Sequence, residues 1–150
     1  MKSIGMILVA FGFLRGTSGF SQDAQGDKEK IQGTWKIVSL HAHLPKAELT
    51  KEALKSAKVV ITGDKLAFHF GKKIHEAHFK INPTKKPKTV DLADANEKNG
   101  KTAPGIYKLD GDDLTLCWNA TNSDRPTEFT KVRKTGLDMR LLVLKREKKK

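Results

Sequence analysis

Cysteine is almost absent from this chain, which has a single one, Cys117, among its 150 residues. One cysteine cannot form a disulfide within a chain, so the fold must be held together by its apolar core. No cysteine follows the apolar stretch near the N-terminus, and we therefore expect no lipid anchor there. Because Cys117 lies on a predicted strand between Leu116 and Trp118, with no base nearby in sequence, we interpret it as a packed, inert thiol.

Long hydrophobic runs are also scarce. Residues 4–14 are apolar, but they are shorter than the roughly 20 residues that span a bilayer. A lysine, Lys2, precedes them and the small residues 16–19 follow, an order typical of a secretory signal peptide. We predict a signal peptide over residues 1–21, a polar linker over residues 22–30 and one domain over residues 31–147. The protein is then expected to be exported, to the periplasm or the extracellular space.

Aromatic residues make up only 7% of the chain, whereas lysine and arginine outnumber aspartate and glutamate by 29 to 17. The formal net charge is +12, and loss of Lys2 and Arg15 with the signal peptide would leave +10. A basic surface favours anionic partners. Proteins that bind nucleic acid usually interleave exposed aromatic side chains with basic ones, and no such pattern is present. Either these charges form a solvated basic surface without a partner, or they contact an anionic envelope polymer or a membrane surface; nucleic acid is not expected.

Catalytic and metal-binding signatures are missing as well. The chain has no Ser-His-Asp order and no glycine-rich phosphate loop. His41 and His43 would share one face of a strand, but a third metal ligand is lacking. The carboxylates in residues 110–113 (DGDD) are explained by a tight turn and do not alternate as calcium ligands do. We therefore predict a protein that is not an enzyme and has no metal or cofactor.

Alternation of apolar and polar residues with a period of two is the dominant pattern in the chain. It predicts short strands over residues 34–41, 58–62, 65–70, 74–81, 89–93, 106–109, 113–119, 127–131 and 138–146. Turns at Gly63, Gly71 and Gly111 separate several of them. One short helix is predicted after the first strand, over residues 47–57.

About eight short strands with one short helix predict an all-β protein with an antiparallel sheet. An up-and-down sheet of this size has two exposed edges unless it closes on itself. We therefore predict an antiparallel up-and-down β-barrel and expect a monomer. Eight strands leave an interior just wide enough for side chains or for one small ligand.

The segment 31–36 (IQGTWK) resembles the Gly-x-Trp opening of the first strand in the lipocalin-like superfamily. Together with five later segments it also resembles a small exported domain family of unknown function that is abundant in planctomycete-type bacteria. These segments are 61–66 (ITGDKL), 82–88 (NPTKKPK), 105–112 (GIYKLDGD), 124–129 (DRPTEF) and 142–146 (LVLKR). The resemblance implies a lipocalin-like barrel and no particular activity.

Five residues are candidates for ligand binding or for closing the barrel: Trp35, Tyr107, Trp118, Arg125 and Glu128. Arg125 and Glu128 lie beside the start of a predicted strand, and arginine is well suited to pairing with a carboxylate. The resemblance implies an arginine packed over the first-strand tryptophan. Either Arg125 and Glu128 close the barrel end on Trp35, or Arg125 faces an anionic ligand.

Two functions follow from these predictions. The first is a non-catalytic exported barrel that holds a small apolar or amphipathic ligand. The second is a module whose basic surface binds an anionic cell-envelope polymer or phospholipid. An enzyme or an inhibitor is a third possibility without support from particular residues. The first function requires that the interior is not completely filled by Leu66, Phe68, Phe70, Phe79, Leu114, Leu116 and Trp118.

Overall fold

The computed structural model describes residues 22–42, 50–121, 124–131, 133–134 and 137–149. Within these ranges there are two short helices, α1 (Gln22–Lys30) and α2 (Lys51–Ser56). The strands are β1 (Gly33–His41), β2 (Lys58–Thr62), β3 (Lys65–Phe70), β4 (Lys73–Asn82), β5 (Thr89–Asp94), β6 (Thr102–Asp110), β7 (Asp113–Asn119), β8 (Arg133–Lys134) and β9 (Leu137–Arg146). The predicted signal peptide lies outside the described residues.

Eight of the strands form a closed antiparallel barrel. Each strand from β1 to β6 pairs with the next one in sequence, β7 pairs with β9, and β9 pairs back onto β1. The two-residue β8 adds a short pairing to the first residues of β9. The predicted all-β architecture, an antiparallel barrel of about eight strands, is confirmed. Closure leaves every barrel strand with a neighbour on both sides, so no long edge is exposed.

The turns that join these strands contain glycine where the sequence predicts a turn. Gly63 and Gly111 adopt φ values of 63° and 56° in the turns after β2 and β6. Residues with a Cβ rarely adopt a positive φ, and this is why glycine is found at these two positions.

Strand β1 pairs with β2 on one side and with β9 on the other. Its first residues pair with β2, from Gly33 opposite Ile61 to Lys36 opposite Lys58. A bulge between Ile37 and Ser39 then shifts its register against β9. Helix α2 contacts β1 and β3. It begins after Thr50, whose side chain accepts a hydrogen bond from the Ala53 backbone, as an N-cap does.

The first half of the barrel interior is solid. The inward-facing side chains nearest α1 are all buried: Trp35, Ile37, Val59, Ile61, Leu66, Phe79, Val90, Tyr107, Leu114, Leu116, Leu142 and Leu144. They come from all eight strands of the barrel, at the alternate positions that the period-two pattern predicts. Helix α1 leads into this core through Ile31, which is also buried. None of the helices in the described ranges is long and apolar enough to cross a membrane.

Two predictions about individual segments need correction, and a third is confirmed. Residues 22–30, predicted as a linker, form helix α1, because Asp27 binds barrel residues and fixes the segment. The predicted strand 127–131 is not a strand; residues 124–131 cross the outer face of β6 and β7 instead. The predicted helix over residues 47–57 is confirmed as Lys51–Ser56, and residues 47–49 lie outside the described residues.

Candidate ligand-binding cavity

The end of the barrel opposite α1 contains a cavity of about 420 Å³. This volume falls within the roughly 300–1,000 Å³ range of small-molecule sites. Its apolar lining comes mainly from five inward-facing side chains: Leu40, Phe68, Phe70, Leu92 and Trp118. These residues are in contact with the solid core but are themselves only partly buried, except Leu92. The barrel is therefore filled at one end and hollow at the other.

Small side chains create this space. Ala77, Ala103 and Ala120 line the cavity at inward-facing positions of β4, β6 and the end of β7. In the solid half, the corresponding inward positions carry Phe79, Tyr107 and Leu116, which fill the interior. The change from large to small side chains along the same strands determines where the hollow begins.

Gly105 positions the tryptophan of the cavity. It lies directly opposite Trp118 in the β6–β7 pairing. A Cβ on Gly105 would lie 2.9 Å from the Trp118 Cβ and 2.7 Å from the Cys117 carbonyl oxygen. Only a residue without a side chain allows β6 and β7 to approach in this way.

The rim of the cavity carries charges of both signs. Asp94, Glu97, Lys101 and Arg140 all contribute to the lining, together with His75. The Arg140 Nη2 atom lies 3.2 Å from Asp138 Oδ2, and this ion pair holds the guanidinium next to Trp118, its partner across β7 and β9. An apolar floor below a charged rim suits a ligand with one apolar and one polar end.

The opposite end of the barrel is closed around Trp35. This residue has no exposed surface, and its Nε1 donates a hydrogen bond of 2.9 Å to the Ile31 carbonyl. The Arg146 guanidinium stacks on the indole ring at 4.2 Å from the ring centre. Arg146 also donates to the backbone carbonyls of Lys30 and Gln32. The arginine thus joins the last strand to the segment between α1 and β1.

A buried carboxylate fixes α1 to this closed end. Asp27 Oδ2 accepts hydrogen bonds of 2.7 Å from the Tyr107 hydroxyl and from Lys88 Nζ. Burial raises the pKa of Asp27, but the hydrogen bonds from Lys88 and Tyr107 outweigh it, and the net pKa lies below the usual value. Burial, and then the neighbouring carboxylate, raise the pKa of Tyr107, which stays a neutral hydrogen-bond donor.

The five predicted site residues do not form one site. Trp118 lines the cavity, whereas Trp35 and Tyr107 belong to the closed end. Arg125 and Glu128 lie on the segment 124–131, outside the barrel wall. The Arg125 Nη1 donates to the carbonyls of Val90 and Gly105 at 3.1 and 2.8 Å, and its Nη2 lies 2.7 Å from Asp91 Oδ1.

The prediction that Arg125 contacts Trp35 is therefore wrong. The arginine over Trp35 is Arg146, and Arg125 pairs with Asp91 rather than closing the barrel end with Glu128. A signal for Arg146 was present in the sequence, because Leu142, Leu144 and Arg146 alternate on one face of β9. The register that places Arg146 directly opposite Trp35 depends on long-range pairing.

The segment 124–131 covers the single cysteine. The Cys117 thiol faces outward from β7, lies within 3.4 Å of the Thr130 carbonyl oxygen and 3.7 Å of the Glu128 one, and has no exposed surface. Burial raises the pKa of this thiol above its ordinary value. A neutral thiol is a poor nucleophile, which agrees with the interpretation of Cys117 as a packing residue.

Replacement of Arg146 by methionine tests its role at the closed end. Methionine keeps part of the apolar stem but removes the stacking charge and two hydrogen bonds to carbonyls. We expect a loss of about 1–2 kcal/mol in the free energy of unfolding, measured by urea denaturation. Lys108→Met, at an exposed position of β6, is the matched control and should change the free energy by less than about 0.5 kcal/mol. Equal effects of the two variants would contradict the assignment.

Metal ligands do not converge anywhere in the described part of the chain. No group of three or more histidine, cysteine or carboxylate side chains is placed to hold a metal ion there. Of the predicted histidine pair, His41 ends β1, and His43 lies outside the described residues.

Comparison with protein-family models, curated proteins and solved structures finds no match to this chain. The resemblance to a planctomycete-type exported family and to the lipocalin-like superfamily therefore stays a prediction.

Proposed function

We propose that this protein binds a small amphipathic molecule in the hollow end of its barrel and does not transform it. The observation that carries the proposal is the 420 Å³ cavity with an aromatic floor, placed above an interior that is otherwise filled. Large apolar side chains such as Phe68 and Phe70 are costly to leave only partly covered. A bound molecule with an apolar part would cover them.

The chemistry of the lining supports binding rather than catalysis. The described residues that surround the cavity include no serine, threonine or cysteine to act as a hydroxyl or thiol nucleophile. The charged rim groups are available to orient the polar end of a ligand, and Arg140 is the one best suited to a carboxylate or another planar anion. The predicted signal peptide supports an exported, lipocalin-like carrier, in which the stacked Trp35 and Arg146 form the closed end.

Filling the cavity tests this proposal. Ala103→Leu places a larger side chain inside the hollow, whereas Ala67→Leu makes the same change on the outer face of β3. Binding is measured by the fluorescence of 1-anilinonaphthalene-8-sulfonate, an amphipathic probe, added to the purified protein. We expect Ala103→Leu to weaken binding by at least about tenfold, or about 1.4 kcal/mol, and Ala67→Leu to leave it unchanged.

The native ligand can be sought with the same pair of variants. Protein incubated with a total lipid extract is re-purified, and the bound molecules are identified by mass spectrometry. A compound retained by the wild type and by Ala67→Leu but lost from Ala103→Leu supports the proposal. Absence of any retained compound, or equal probe binding by both variants, would overturn it.

A further inference from the structure

Three lysines lie side by side on three neighbouring strands of the outer wall of the barrel. Lys36 of β1 faces Lys58 of β2 on one side and Lys145 of β9 on the other. All three side chains are exposed, and the residues beside them in sequence, Trp35, Val59 and Leu144, point into the core. Adjacent strands are about 4.8 Å apart. The lysine row, as we call these three residues, therefore places three positive charges in a line across about 10 Å of surface.

The lysine row has little compensation from carboxylates. Lys145 Nζ lies 3.4 Å from Asp113 Oδ1, but both side chains are 60% exposed, and such pairs contribute little. Within the described ranges, no ion pair involves Lys36 or Lys58. On the side away from Lys145, Lys58 is opposite His69 of β3. Like charges that face each other across strands destabilise a sheet, so this arrangement costs stability unless an anion lies over it.

We propose that the lysine row binds a linear anionic polysaccharide that lies across β2, β1 and β9. Closely spaced carboxylate or sulfate groups along such a polymer match a line of single positive charges. This site is on the outside of the barrel and does not depend on the cavity or on its ligand.

Two other anionic partners fit this surface less well. Single-stranded nucleic acid is held by exposed aromatic side chains as well as by charge, and β1, β2 and β9 expose no aromatic side chain beside the lysine row. A membrane surface would be reached best by apolar side chains that project beyond the lysines. Only Val38, which is 60% exposed, does so near the row on these three strands.

The test uses the triple variant Lys36→Gln, Lys58→Gln and Lys145→Gln in the full chain. Its matched control, Lys72→Gln, Lys86→Gln and Lys98→Gln, removes the same charge from exposed positions elsewhere. Binding of polygalacturonate and of heparin is measured by calorimetry. We expect the row variant to lose at least about tenfold in affinity and the control to lose about twofold or less. Wild-type affinity should fall at least about tenfold between roughly 50 mM and 200 mM salt.

The melting temperature provides a second measurement: the row variant, which should bind polymer less tightly, should itself be more stable. Without polymer, the row variant should melt about 2 °C higher than the control, because the repulsion between the lysines is gone. With polymer, the melting temperature should rise for the wild type and the control but not for the row variant.

Three results would overturn the proposal. One is equal loss of polymer binding in both triple variants. Another is the absence of any polysaccharide binding by the wild type at low salt. The third is tighter binding, with the same dependence on the three lysines, to single-stranded DNA or to phosphatidylglycerol vesicles than to either polysaccharide.

Discussion

Replacing Gly105 by alanine is expected to destabilise the protein by about 3 kcal/mol, at the upper end of the usual cost of overpacking. The added Cβ would meet the Cys117 carbonyl oxygen at 2.7 Å, the Trp118 Cβ at 2.9 Å and Val90 Cγ1 at 3.1 Å. Two of these atoms belong to the backbone or lie next to it, so they cannot move away without shifting β7. Strands β6 and β7 must therefore separate, and the hydrogen bond from Arg125 to the Gly105 carbonyl is strained with them.

Gly26 provides the matched control for this substitution. It lies within α1, and a Cβ there would meet no atom within 4 Å. Alanine is a better helix former than glycine, so Gly26→Ala should stabilise the protein by up to about 1 kcal/mol. Both variants are compared by urea denaturation followed through tryptophan fluorescence. An unchanged unfolding midpoint for Gly105→Ala would show that β6 and β7 are not packed as described.

Replacing Asp27 by alanine is expected to cost about 2 kcal/mol, because it removes two hydrogen bonds and leaves the Tyr107 hydroxyl buried without its acceptor. This loss is smaller than that for a fully buried ion pair because the Lys88 side chain is 39% exposed. The loss should appear as release of α1 before the barrel unfolds, since Asp27 binds the helix to β6. Hydrogen exchange of the α1 amides is the direct measurement.

The same carboxylate predicts a dependence of stability on pH. The pKa of Asp27 is lowered in the folded protein, from an ordinary value of 3.8. The ionised carboxylate therefore stabilises the fold above pH 3.8, and this contribution is lost as the pH falls through the lower pKa of the folded state. Asp27→Asn should flatten this acid dependence, and Asp64→Asn, at an exposed turn, should not. Identical acid profiles for the two asparagine variants would contradict the role of Asp27.

The strands and their closure into a barrel could be predicted because they depend on local information. Alternation of apolar and polar residues identified eight of the nine segments, and glycine turns separated them. The number of strands then favoured closure, since an open sheet would expose its edges. Residues 127–131 alternate in the same way but do not pair in the sheet; they cover Cys117 on the outer wall.

The closed end and the cavity could not be predicted in detail because they depend on contacts between distant residues. Helix α1 is polar along its whole length, and its position is set by one carboxylate that meets Tyr107, 80 residues later. The β1–β9 register, which depends on pairing between the two ends of the domain, places Arg146 rather than Arg125 opposite Trp35. The cavity forms where the inward-facing side chains of several strands together do not fill the interior. Ala77 and Ala103, which line it, are among these small side chains.

The final strand has a consequence for how the protein reaches its native state during synthesis. Strand β9 pairs with both β7 and β1, and Arg146 bonds to the carbonyl of Gln32, 114 residues earlier. A growing chain from which β9 has not yet emerged lacks the strand that joins β7 to β1, so its sheet retains two open edges. Closure of the barrel therefore waits for β9, and we expect it to be slow, as for other topologies rich in long-range pairings.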